Sequence, residues 1–98
     1  MIRYEASEEL LASVKASIDK YEQTFLLIPE DAVIPELRAY RAAGMAQVEA
    51  GRKWYESIEA GNKAEILRLD QEVHRTANAT EEAGRALDRA LARQAATP

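Results

Sequence analysis

Residues 37–58 read LRAYRAAGMAQVEAGRKWYESI, and their spacing decides the fold. Leu37, Tyr40, Gly44, Val48, Gly51, Trp54 or Tyr55, and Ile58 recur at intervals of three and four. That is the period of a helix face, not the alternation of a strand. No proline interrupts the run. Much of it is small: Ala42, Ala43, Gly44, Ala46, Ala50 and Gly51. An interior glycine costs a helix about 1 kcal/mol relative to alanine. The small residues therefore predict a neighbouring helix at close approach, with bulk returning at Trp54, Tyr55 and Ile58.

Just beyond lies Ala60-Gly61-Asn62. Glycine takes the left-handed conformation that ends helices. Asparagine is a preferred N-cap, and Glu65 follows three residues later, a variant of the capping box. A connection of two residues predicts that the flanking helices run antiparallel.

Toward the N-terminus, a first helix is expected from Ala6 or Ser7, with Glu8 and Glu9 suiting its dipole. Tyr4, Leu11, Ile18 and Phe25 fall at intervals of seven, with Val14, Tyr21 and Ile28 between them. This is the seam of a bundle or short coiled coil, widened by Leu10, Leu26 and Leu27. Pro29 ends the helix, because the residue before a proline resists helical geometry. Two continuations are open. Residues 29–34 form a loop and Pro35 opens the second helix, or Pro29-Glu30-Asp31 is itself a helical first turn and Pro35 kinks the helix soon after. The proline-acid start favours the second.

The third helix is expected over about 63–93. Its stripe is Ile66, Leu69, Val73, Thr76 or Ala77, Thr80, Ala83 or Gly84, Leu87 and Leu91. Its weakly apolar middle is expected opposite Gly44 and Gly51, and residues 94–98 are expected to fray. The fold predicted is all-α: an antiparallel three-helix bundle with long second and third helices. It is a single domain over 1–98, with helices at about 6–28, 30–60 and 63–93.

The 98 residues contain no cysteine, which excludes a disulfide framework and thiolate chemistry. The net charge of −4 is uneven: residues 1–36 carry −5 and residues 37–98 carry +1. Neither half has the basic density of a nucleic-acid footprint. No run approaches the roughly 20 apolar residues of a membrane span. MIRYEASEE has no apolar signal region. The chain reads as soluble: cytoplasmic as it stands, extracytoplasmic if Met1 replaces a removed leader.

Little in the chain converges on chemistry. His74 is the one histidine, with Asp70 a turn earlier and Gln71 where a bundle metal site needs a glutamate. No metal or other cofactor is expected. The serines and threonines lack a nucleophile-elbow context. Glu8-Glu9, Glu30-Asp31 and Glu81-Glu82 are adjacent on helices or at their starts, so they do not face each other as acid–base pairs. Arg85, Arg89 and Arg93 form a stripe that complements a helix C-terminus. Asn78-Ala79-Thr80 matches a glycosylation sequon but lies mid-helix. Two candidate surfaces remain. Arg52, Trp54, Tyr55 and His74 are a candidate binding spot. Leu10, Leu26, Leu27, Val33 and Ile34 are a candidate partner interface, for a homodimer or another protein.

Pro29-Glu30-Asp31, the alanine-rich run 37–58, the corner Ala60-Gly61-Asn62 and the alanine-rich run 66–91 together resemble a loose class of bacterial helical segments. These occur in lipoproteins and other exported proteins of unknown function, usually with Asp where this chain has Asn62. The resemblance implies possible export and carries over no functional residue. The function expected is a non-enzymatic structural or protein-interaction module. The alternative is a small-ligand or metal sensor near Trp54, Tyr55 and His74.

Overall fold

A computed structural model describes residues 8–96. Three helices, α1 (Glu8–Leu26), α2 (Pro35–Ala60) and α3 (Lys63–Ala96), account for its regular structure, and no strand occurs among the described residues. The expected start of α1 at Ala6 or Ser7, and Tyr4 in its seam, lie outside those residues. The body measures 59 × 21 × 19 Å.

The loop between α1 and α2 resolves the two continuations in favour of the one that the proline-acid reading disfavoured. α2 begins at Pro35 and not at residue 30, and there is no kinked first turn. Ile34 is extended (φ −81°, ψ 116°), as a residue before proline prefers. Pro35, having no N–H to satisfy, occupies the first turn, where that donor would be orphaned anyway. A helix starting at 30 would have lost a hydrogen bond at Pro35. Residues 29–32 close a turn instead, Ala32 N–H donating to Pro29 O at 3.2 Å. α1 stops at Leu26, two residues before the expected end, with Ile28 N–H donating to Phe25 O. Side chains from α2 hold the loop. Arg41 Nε donates to Ile28 O at 2.8 Å, and Arg38 donates to Ala32 O.

The corner forms as read. Gly61 is left-handed (φ 67°, ψ 25°). Its N–H donates to Ile58 O, and Asn62 N–H donates to Ser57 O, both at 3.1 Å. This pair of bonds is the Schellman motif. Asn62 Oδ1 accepts from Glu65 N–H at 3.2 Å. The reciprocal half of a capping box does not form: Asn62 N–H is already committed to Ser57, and the Glu65 carboxylate takes Arg68.

α2 is the middle element. It packs against both α1 and α3, whereas no Cα of α1 comes within 8 Å of one in α3. The glycines of α2 do not meet α3 as expected. Gly44 and Gly51, seven residues apart on one face, meet α1: Phe25 lies over Gly44 and Ile18 beside Gly51. The face toward α3 is displaced around the helix, where Ala46 and Ala50 stand near Leu69 and Thr76. Gly84 of α3 receives Tyr40. Glu36 and Arg93 approach at 3.7 Å.

Phe25 is fully buried, edge-on to Tyr21 (4.9 Å between centroids) and Tyr40 (5.2 Å). Burying a phenylalanine contributes about 1.5–3 kcal/mol. Val48, Ala50, Ile66, Leu69 and Ala90 continue the core. The buried Thr76 and Thr80 hydroxyls donate to carbonyls of Glu72 and Thr76 one turn earlier, so they carry no unmet hydrogen bond. α3 continues through residues 94–96, which were expected to fray, since nothing there breaks a helix. Residues 97 and 98 lie outside the described part.

Candidate functional site

Because α1 and α3 both lean on α2 without meeting, a groove runs between them. Its floor is Gln47, Val48, Gly51 and Trp54 of α2. One wall is Val14, Ser17, Ile18 and Tyr21 of α1, and Val73 of α3 stands on the other. The space is about 450 Å³, mostly apolar and open to solvent along one side. Burial, and secondarily Tyr40, holds the Tyr21 phenol above its usual range. Gln47 Oε1 is buried and accepts no hydrogen bond among the described residues.

The four residues of the candidate binding spot are not brought together. Trp54 lines the groove. Arg52 and Tyr55 are turned to the opposite flank of α1, where with Lys15, Asp19 and Glu59 they border a smaller hollow of about 150 Å³. The Arg52 guanidinium grips Glu22 with two hydrogen bonds, at 2.5 and 2.9 Å, and Asp19 with a third at 3.0 Å. These bonds raise the Arg52 pKa and hold the Glu22 carboxyl below its ordinary value. Arg52 is therefore a clamp between α1 and α2. His74 is exposed on α3, its Nε2 3.7 Å from Asp70 Oδ2. Adjacent residues on a helix point about 100° apart, so Trp54 and Tyr55 had to separate. No three His, Asp or Glu side chains among the described residues are placed to hold a metal ion.

The candidate interface is also divided. Leu27 (84% exposed) and Val33 (92%) project at the loop end of the body, with Leu26 beside them. Ile34 is half-buried and borders a shallow hollow with Ala90 and Gln94. Leu10, 55% exposed, lies at the far end of α1. It shares a stripe with Val14, Ser17 and Tyr21, at helical spacings of four, three and four, but it does not itself line the groove. Sequence reading missed the groove floor at Gln47 and Val48 and the wall at Val73. The spacing places these residues on apolar faces but does not say which helix stays away.

No helix among the described residues is long and apolar enough to cross a membrane. In comparisons with known proteins, no family model matches the chain, and neither a curated protein nor a solved structure gives a significant match.

Proposed function

We propose that the chain is a non-enzymatic helical module, an antiparallel three-helix arrangement whose groove accepts an amphipathic helix from a protein partner. The groove between α1 and α3 carries this reading: it has an apolar floor and walls and lies where a further helix of a bundle would sit. The antiparallel course is supported by the two-residue corner at one end and by Glu36 meeting Arg93 toward the other. A structural role in a bacterial protein rests on the resemblance of its helices alone.

A photo-crosslinking residue tests the docking site. Benzoylphenylalanine at Ser17, on the groove wall, is expected to give protein-sized adducts in cells that make the protein. The same residue at Asn78, exposed elsewhere on α3, is expected to give none. Absence of any Ser17 adduct would remove the reading. The sensor alternative rests on the volume, which falls within the roughly 300–1,000 Å³ typical of ligand pockets, but His74 takes no part in lining the groove.

A further inference from the structure

We infer that the Arg52 clamp sets the width of the groove: it holds α1 away from α3, and its release lets α1 swing about the loop end and close the groove over Trp54. As a regulation of docking this rests on the groove being a helix site; as a statement about α1 it does not.

The two ends of α1 are held differently. At the loop end, Phe25 is fully buried and occupies the space that a side chain on Gly44 would take. Arg41 and Arg38 tie the adjoining loop to α2 through Ile28 O and Ala32 O. This end is a fixed pivot. Farther along, Ile18 crosses α2 at Gly51, where no side chain interlocks with it. Ile18 borders both the groove and the smaller hollow on the other flank. It therefore lies on the crest between them, and α1 can roll across α2 there. What opposes such a roll is polar. Arg52 donates to Glu22 at 2.5 and 2.9 Å and to Asp19 at 3.0 Å.

The direction of that hold follows from helix geometry. Asp19 stands two residues from both Ser17 and Tyr21, so it points about 160° away from these groove-wall residues. The clamp thus pulls α1 toward the flank away from α3. Packed helices lie roughly 8–10 Å apart between axes. α2 has such neighbours in α1 and α3, but no Cα of α1 comes within 8 Å of one in α3. Closure would take apolar surface of Val14, Tyr21, Trp54 and Val73 out of water, which favours it. Nor would it strand the Ser17 hydroxyl, which donates to Ser13 O within α1. The clamp therefore opposes a closure that the walls of the groove favour.

Trp54 is the chain's one tryptophan, so its fluorescence reports the groove floor directly. In the full chain, Arg52→Ala is expected to lower the acrylamide quenching constant of Trp54 by about half as water leaves the groove. Asp19→Asn with Glu22→Gln cuts the clamp from the α1 side, at a distance in sequence from Trp54, and should do the same. Unchanged quenching in both variants would overturn the inference, and so would increased quenching, which means that α1 has come off α2. The chain has no cysteine, so Ser17→Cys with Val73→Cys gives a second measure. Their Cα atoms lie beyond the reach of a disulfide while the groove is open, so cutting the clamp should speed oxidation of the pair by about tenfold. Equal rates would count against the clamp. Neither readout involves a partner. Closure on cutting the clamp, with no Ser17 photo-adduct in the native chain, removes the docking reading and leaves the clamp inference standing. An adduct without closure removes the clamp inference alone.

Discussion

At the scale of single residues, the two glycines that α2 turns toward α1 have opposite reasons for being there. A Cβ on Gly44 would overlap the Phe25 ring, whereas one on Gly51 would meet Ile18 at 3.6 Å, an ordinary contact. Gly44→Ala must displace a fully buried ring. It should cost about 2 kcal/mol and lower the melting temperature by roughly 10 °C. Gly51→Ala should raise the melting temperature, because its helix gains about 1 kcal/mol with no clash. Thermal unfolding of both variants decides the matter, and equal effects would refute it. Gln47 makes a third case. Its buried, unpartnered carbonyl predicts that Gln47→Met stabilises by about 1 kcal/mol in denaturant titration. The sequence showed that 44 and 51 were small for packing reasons, but smallness has no direction. Which neighbour came close depended on how far around α2 each helix settled.

At the scale of elements, the ends of the helices were the most legible part and the clamp between them the least. Gly61 and Asn62 announce the corner through local backbone chemistry. Pro35 announced a helix start as well, but so did Pro29, and the choice turned on a hydrogen bond that only one arrangement would lose. The Arg52 clamp could not be read at all, because its partners Asp19 and Glu22 lie 33 and 30 residues away. That clamp makes the α1–α2 contact sensitive to acid. The folded Glu22 carboxyl titrates below its ordinary 4.5, chiefly through its hydrogen bonds to Arg52. Its contribution to stability is therefore fully present above about pH 4.5 and is lost as the pH falls through the depressed folded value. Glu22→Gln should flatten this part of the acid limb in melts taken between neutral and acid pH. Part of the limb should remain, since Glu65 and Glu72 are held low by Arg68 and Arg75 within α3.

At the scale of the whole molecule, stability should be uneven. α2 is covered on two sides, whereas no Cα of α1 comes within 8 Å of one in α3. Hydrogen exchange should therefore find α1 opening at a lower free energy than the α2–α3 pair. Uniform protection across the three helices would contradict this arrangement. The seam of α1 was visible in the sequence as residues spaced by seven. What spacing could not disclose is that half of this seam faces α2 and half faces an open groove. That depends on the separation of α1 from α3, which no local pattern encodes.

The two-residue corner also bears on the order of events as the chain folds. Closing a short loop costs little entropy, and α2 and α3 can then pack together outward from the corner. α1 must instead bring Ile18 and Phe25 across the 27–34 loop onto a surface that already exists. Gly61→Val, which strains the left-handed turn, should slow refolding in a stopped-flow chevron. Gly44→Ala should leave that limb nearly unchanged and steepen the loss on the unfolding side, where α1 departs first.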